Sequence, residues 1–229
     1  MFWNEDTDNE SAYEVPDDIV DVNFKIKCPH LPLDHAHQLS SAIIKELPWI
    51  NDHEFAGIHL IHGAESGNGW IRPTDPTELI YPSRRTLFTI RTPQEFIQEV
   101  QNLDGKTIQI CDSSIEFYKP SIRKLSKLTT IFARYILADH VEDEEAFLQE
   151  MAELLRAKNI HPKKMMSGRA TTLTFPNRIF SVRSLMIDGL ESTQSVRLQQ
   201  EGLGAGRKFG CGLFLPHKGI DAVGDAQEK

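Results

Sequence analysis

Cysteine is scarce in this sequence and follows no pairing pattern. Cys28, Cys111 and Cys211 are its three cysteines, widely spaced and without a CxxC pair. This usage predicts neither a disulfide framework nor a thiolate metal site, and it is typical of a reducing compartment. The first ten residues lack the basic and apolar segments of a signal peptide, and no apolar run reaches eighteen residues. We therefore expect a soluble, cytoplasmic protein with no membrane partner.

Basic residues are absent from the start of the chain. Residues 1–21 hold eight acids and no Lys or Arg, which accounts for the whole net charge of −8. Residues 1–18 also lack an apolar pattern, so we predict an acidic mobile tail there. Residues 154–218, in contrast, carry eleven bases and three acids. A basic cluster of this kind indicates phosphate contacts, although surface charges also cluster by chance.

Apolar periodicity divides the remaining chain into two series of elements. The first series comprises strands at 19–27, 55–62, 84–91 and 107–111, a helix from an Asp34 N-cap to Pro48, a connector at 63–82 and a helix after Pro93. The second comprises a strand at 129–137, a helix at 142–158, a hairpin of 169–175 with 178–186, a helix at 191–200 and a strand at 209–215. The order predicts an α+β fold of two tandem ferredoxin-like βαββαβ domains, at 19–120 and 121–220, followed by a tail at 221–229.

The most specific stretch is a glycine-rich loop at 202–212, which has five glycines around the pair Arg207 and Lys208. Dense glycines let backbone N–H groups approach an anion closely, and the two cations favour a polyanionic ligand. The GxGxG string at 202–206 follows a predicted helix rather than a strand, which argues against a dinucleotide fingerprint. No GxxxxGK[ST] is present. The alternative is a flexible connector without a ligand.

The helix, loop and strand together, from SLMIDGL through RLQQEGLGAGRKFGCGLFLPHK, resemble the C-terminal end of the CRISPR repeat-cleaving endoribonucleases, the Cas-six family, and most closely its Myxococcus-type branch. Weaker matches at PWI, GIHLIHG and the Asp34-His35 pair follow the family order. The resemblance implies two ferredoxin-like domains, binding of a repeat hairpin in precursor CRISPR RNA, and one metal-independent cut at its base. The expected cut leaves a 5′-hydroxyl and a 2′,3′-cyclic phosphate and needs no cofactor.

Metal-free RNA cleavage needs a group that takes the proton of the 2′-hydroxyl, and histidine suits this role near neutral pH. We predict His35 as the catalytic residue because it shares the Leu39 side of its helix, whereas His37 lies nearly opposite. The resemblance also places a histidine in this region. His35 could instead be a capping or partly buried structural histidine. Another possibility is that several histidines converge on a metal, namely His30, His35, His37, His59 and His62.

The predicted RNA-binding residues belong to the loop and to the basic second half. They are Gly202, Gly204, Gly206, Arg207, Lys208, Lys163, Lys164, Arg169, Arg178 and Arg183. For the residues near the hairpin, a solvated strand face is an equally good interpretation, and His217 beside the loop could be an ordinary surface histidine. The competing functions are a catalytically silent subunit that holds the repeat hairpin among other subunits of a CRISPR effector complex, and a metal-dependent hydrolase. The expected partners are the repeat hairpin and such effector subunits.

Overall fold

A computed structural model describes residues 13–63, 75 and 78–217. The strands are β1 (Ile19–Lys27), β2 (Leu31–Pro32), β3 (Gly57–Ile58), β4 (Leu79–Ile80), β5 (Leu87–Pro93), β6 (Thr107–Ile110), β7 (Ser113–Lys124), β8 (Ile131–Leu137), β9 (Lys164–Phe175), β10 (Arg178–Asp188) and β11 (Phe214–Pro216). The helices are α1 (Ala36–Glu46), α2 (Ile97–Gln101), α3 (Glu144–Ala157) and α4 (Ser192–Glu201), with 3₁₀ turns at Pro48–Asn51, Gln94–Phe96 and Arg207–Phe209. The predicted α+β class is confirmed.

The first half forms an antiparallel sheet with strand order β3-β5-β1-β7-β6. The alternation in β1 puts Phe24 into the core, where its ring meets Phe117 at 5.7 Å between centroids. Leu39 and Ile43 of α1 pack on the same core, because residues four apart share one face of a helix.

Two parts of the first half differ from the sequence prediction. The strand at 107–111 was predicted to close the unit, but β6 is only the edge partner of the long β7, and it is β7 that pairs with β1. Pro120 and the polar end of β7 hide this strand from a periodicity argument, since proline is disfavoured inside sheets. The described part of the predicted connector contains β4, which pairs with β2 over two residues. Residues 64–74 of that connector, like residues 1–12 and 218–229, lie outside the described part of the chain.

The second half forms an antiparallel sheet with strand order β11-β8-β10-β9. Its helix α3 begins where predicted to within two residues, because the Asp143 side chain accepts a hydrogen bond from the Ala146 N–H at 3.0 Å. Phe147, Met151 and Leu155 of α3 are buried against this sheet. The last strand is shorter than predicted, since Arg207–Phe209 forms a 3₁₀ turn and only Phe214–Pro216 pairs with β8.

A buried arginine joins the two halves. Arg91 on β5 is 0% exposed and forms a two-point ion pair with Asp21, at 2.8 and 3.0 Å. Its remaining nitrogen donates to the backbone carbonyls of Gln199 and Phe214 in the second half, at 2.8 and 3.0 Å. Burial alone would raise the pKa of Asp21, but the charge and hydrogen bonds of Arg91 outweigh burial and lower it. The end of α4 and the start of β11, which flank the glycine-rich loop, are thereby fixed to the first sheet.

The junction also includes part of the segment predicted to be a tail. Tyr13 and Val15 pack against a small cluster formed by Ile19, Leu125 and Val196. Residues 13–18 therefore belong to the folded body, with Gln200 Nε2 donating to Asp18 Oδ1 at 2.8 Å. The helices of the described residues are all too short or too polar to cross a membrane.

Candidate functional site

The glycine-rich loop is a tightly bonded turn between α4 and β11. Gly206 and Gly210 flank its 3₁₀ turn with φ of 86° and 80°, a left-handed region that favours glycine. The Gly206 carbonyl accepts hydrogen bonds from Phe209 N at 2.8 Å and Cys211 N at 3.1 Å. At Gly212, a Cβ would lie 2.4 Å from the Leu203 carbonyl oxygen. These intramolecular contacts require the glycines irrespective of a ligand. Gly202 is buried, and Gly204 is exposed.

The two cations of the loop have different surroundings. The Arg207 guanidinium donates to the Phe55 carbonyl at 2.7 Å and the Ala56 carbonyl at 3.3 Å, so it ties the loop to the first half. Burial, followed by the charge of Arg91, lowers the pKa of Arg207 to about 9. Lys208 donates to Asn51 Oδ1 at 2.6 Å and is half-buried, with Nζ 5.7 Å from the Phe209 ring centroid. Lys208 is thus the cation better placed to meet an anion.

His35 is buried and both of its ring nitrogens are engaged. Nδ1 lies 2.9 Å from the Pro32 carbonyl, Nε2 accepts the Ile61 N–H at 3.2 Å, and the residue is 2% exposed. These partners define a neutral ring with its proton on Nδ1. The prediction that His35 faces the Leu39 side of the helix is correct, but that side is the core. Action as a general base would require His35 to break its bond with Ile61.

The start of α1 also differs from the sequence prediction. His35, not Asp34, occupies the N-cap position, and its side chain does not cap the helix. The Asp34 Oδ2 atom instead accepts the Thr174 N–H at 2.6 Å, near the end of β9. The helix start is therefore attached to the hairpin of the second sheet.

His37 lies one residue into α1, on the side that meets the second half. It is half-buried, and its ring centroid is 5.3 Å from that of Phe175, the last residue of β9. Phe175 in turn packs edge-on against Phe209 of the glycine-rich loop at 4.8 Å. His37 thus stands where the helix, the β9–β10 hairpin and the loop come together. Helix periodicity separated His37 from His35 but could not show that a second unit covers the His37 side.

The predicted basic residues in and beside the hairpin separate into four locations. Arg178 is exposed at the tip, and its guanidinium carbon lies 4.4 Å from the Phe180 ring centroid. Lys164 is the first residue of β9, and the exposed Lys163 precedes it. At about 3.3 Å per residue, Lys164 lies about 36 Å from the tip. Arg169 is exposed about midway along β9, which is an edge strand. Arg183 is buried, and its guanidinium donates to the carbonyls of Val141, Glu142 and Gly168.

The structure therefore brings together only part of the predicted set. We use the name tip site for the surface residues that meet at the junction of α1, the hairpin tip and the loop turn. They are His37, Phe175, Arg178, Phe180, Lys208 and Phe209. Phe175 and Phe180 come from the hairpin and Phe209 from the glycine-rich loop, so no single local motif could reveal all three. The signal available in the sequence was the FPNRIF turn at 175–180 followed later by RKF at 207–209.

Apart from the tip site, the structure contains a cavity between the two sheets. This cavity of about 380 Å³ is lined by residues of both halves, including His59, His62, Arg85, Arg134 and Tyr135. Two of the histidines considered as metal ligands, His59 and His62, line it, but no group of three His, Cys, Asp or Glu side chains in the described ranges could hold a metal ion.

His59 makes folding sensitive to acid. Its pKa is lowered to about 3, first by burial and then by the charge of Arg91, whereas an unfolded histidine titrates near 6.5. Because the unfolded chain binds an extra proton between these values, stability should fall as the pH drops below about 6.5. From pH 6.5 to 5.5 we expect His59 to remove about 1 kcal/mol of the free energy of unfolding. Urea unfolding of wild type and His59→Gln at both pH values measures this, and equal losses in the two proteins would refute it.

The fold and the tip site define an α+β protein of two antiparallel sheets with a glycine-rich loop between its last helix and its last strand. The family model described as Cas6 Crispr matches residues 20–219. A CRISPR-associated endonuclease Cas6 of Myxococcus xanthus (strain DK1622) is 28% identical over 197 residues, which cover 86% of this chain and 81% of that protein. The chain belongs to the Cas6 family.

Solved structures show the same fold at low sequence identity. One named CRISPR associated protein Cas6 aligns with a TM-score of 0.58 at 13% identity, over 87% of this chain and all of that chain. A structure of Thermus thermophilus Cse3 bound to an RNA representing a pre-cleavage complex aligns with a TM-score of 0.50 at 11% identity, over 86% of this chain and 98% of that one.

Proposed function

We propose that the protein is a metal-independent endoribonuclease that binds the repeat hairpin of precursor CRISPR RNA and cuts at its base to give guide RNA. The carrying observation is that His37, Phe180 and Phe209 all pack on Phe175. Arg178 lies over Phe180, and Lys208 lies beside Phe209. Family membership, the name of the Myxococcus relative and the RNA bound to the Thermus neighbour support the substrate class. The expected compartment is the cytoplasm.

The proposal includes two ferredoxin-like domains, at 19–120 and 121–220. In each half the chain runs strand, helix, strand, strand, helix, strand, and the first strand lies between the third and the fourth. In the first half those strands are β1, β3, β5 and β7, with β6 as an added edge. This arrangement supports the βαββαβ interpretation of both halves.

The chemistry assigned to the tip site is attack of a ribose 2′-hydroxyl on the adjacent phosphorus. The imidazole of His37 accepts the hydroxyl proton as the O2′–P bond forms and the P–O5′ bond breaks. Positioned acid–base catalysis of this kind contributes roughly 10²- to 10⁴-fold. Lys208 stabilises the extra negative charge on the phosphorane, and a cation held beside the reacting group needs little reorganisation. The leaving O5′ takes a proton from solvent water, and His37 later releases its proton to solvent, which gives a 5′-hydroxyl and a 2′,3′-cyclic phosphate.

This assignment replaces His35 by His37. A general base must reach its proton within about 2.6–3.2 Å, and the half-buried His37 is accessible to a ligand at the tip site, whereas His35 is sealed by its two partners. His35 and Arg207 are instead given positioning roles: His35 links Pro32 to Ile61, and Arg207 fastens the loop that carries Lys208. The proposed RNA contacts of the second half are Lys208 and Arg178 at the tip, with Lys163, Lys164 and Arg169 along β9.

The test is a cleavage assay with purified protein and a 5′-labelled cognate repeat in excess EDTA. We expect one cut, with product ends that resist phosphatase until the cyclic phosphate is opened by acid. Binding without any cut, with or without added Mg²⁺ or Mn²⁺, would identify a silent hairpin-binding subunit. Cleavage that requires an added divalent ion would identify a metal-dependent nuclease.

A further inference from the structure

The proposed reaction sets a geometric requirement on the RNA. In-line attack places O2′, phosphorus and O5′ nearly on one line, and a nucleotide stacked in an A-form helix does not present that alignment. A nucleotide beside the cut must therefore leave the stack, and the stacking it loses has to be replaced by the protein.

The tip site contains a flat, supported surface of the right kind. The Arg178 guanidinium carbon lies over the Phe180 ring, 4.4 Å from its centroid. Phe180 is fixed in turn by an edge-on contact of 4.9 Å with Phe175, the residue that touches His37. Arg178 is an exposed residue, so its guanidinium is accessible to a ligand. Nucleobases stack on arginine planes as well as on aromatic rings.

The strand register shows which residues share this surface. Arg178 pairs with Phe175 across the hairpin, and Phe180 pairs with Leu173. Because side chains alternate between the two faces of a strand, these residues lie on the face that meets α1. Ile179 pairs with Thr174 and lies on the opposite face, 65% exposed. It provides a matched control on the same turn.

We propose that Arg178, backed by Phe180, is a stacking platform for a nucleobase flanking the scissile phosphate. The platform removes that base from the helix and leaves its ribose and phosphate beside His37 and Lys208. This makes Arg178 a positioning residue whose planar group matters in addition to its charge. The inference rests on the proposed function, and it adds a stacking contact to the acid–base and charge roles of His37 and Lys208.

The experiment uses Arg178→Lys, which keeps the charge but removes the plane, Phe180→Leu, which removes the supporting ring, and Ile179→Ala as control. The cognate repeat carries 2-aminopurine at either base flanking the mapped cut and a 2′-deoxy nucleotide that blocks cleavage. Because 2-aminopurine is quenched while it is stacked in the RNA helix, wild type and Ile179→Ala should raise the fluorescence at one of the two positions, and Arg178→Lys and Phe180→Leu should not. On the cleavable repeat, both variants should react about 10-fold more slowly, a size typical of one lost base stack.

An abasic nucleotide at the position whose fluorescence responds to wild type separates stacking from other roles. It should slow wild type to a similar degree and cost the Arg178→Lys variant little more, because both changes remove the same contact. Full activity of Arg178→Lys, or losses that multiply with the abasic substrate, would overturn the platform. If no repeat were cut at all, the proposed function would fail, whereas 2-aminopurine placed in turn at each base at the foot of the repeat hairpin would still decide whether a base stacks on Arg178.

Discussion

Replacing His37 by alanine is expected to slow cleavage of the cognate repeat by roughly 10²- to 10⁴-fold in single-turnover assays, the usual contribution of a positioned acid or base. Affinity for the uncut hairpin should stay within a few-fold, because a general base acts in the transition state whereas Lys208 and the hairpin cations supply binding. The effect should be confined to the rate, since the His37 ring contacts Phe175 but fills no part of either main core.

His35→Ala is the matched comparison, two residues away. It removes the acceptor of the Ile61 N–H, and a buried donor without a partner costs about 1–3 kcal/mol of stability. We therefore expect a lower unfolding midpoint but substantial cleavage at a temperature where the variant is folded. A folded His35→Ala that is inactive, together with an active His37→Ala, would return the catalytic role to His35.

The second large effect is a loss of stability when the buried arginine at the junction of the two halves is removed. Arg91→Ala should lower the free energy of unfolding by about 3–5 kcal/mol, the cost of removing one member of a buried ion pair. It leaves the Asp21 carboxylate buried without its partner, together with the carbonyls of Gln199 and Phe214. Urea denaturation measures the change.

The control for Arg91 is an arginine on a neighbouring strand. Arg123 pairs in register with Asp21 but is exposed, so Arg123→Ala should change stability by less than about 0.5 kcal/mol. Equal unfolding midpoints for Arg91→Ala and Arg123→Ala would show that the buried pair does not hold the halves together. A stability loss that keeps one cooperative transition would show that the apolar clusters still couple the halves, whereas two separate transitions would show that Arg91 couples them.

Much of the second half could be predicted from the sequence because its signals are local. Helix α3 has an N-cap aspartate and an apolar stripe at helical spacing, and the turn at Pro176 and Asn177 separates two strands of high β-propensity. Local propensity and tertiary packing agree there, so the elements lie within a few residues of their predicted bounds. The exceptions are β9, which begins five residues before its predicted start, and the final strand, which begins only at Phe214 because the glycine-rich loop extends to Gly212.

The first half was predicted less well because several of its strands depend on partners far away in the chain. β2 and β4 are two residues each and exist only by pairing with one another, and β3 is held by β5. The surroundings of the predicted site residues could not be predicted for the same reason. Whether Arg207 or Lys208 faces outward depends on the carbonyls of Phe55 and Ala56, about 150 residues earlier in the chain. Likewise, the position of Phe175 beside His37 decides which histidine is accessible.

The central claim is that the RNA provides its own nucleophile and the protein provides His37 and Lys208 without a metal ion. The most direct measurement is single-turnover cleavage in excess EDTA of two repeats that differ by one 2′-deoxy nucleotide on the 5′ side of the mapped cut. The account predicts rapid cutting of the all-ribose repeat and no cutting of the deoxy repeat, with equal affinities for both. Cleavage of the deoxy repeat at the same position, or dependence of either reaction on added Mg²⁺, would contradict it.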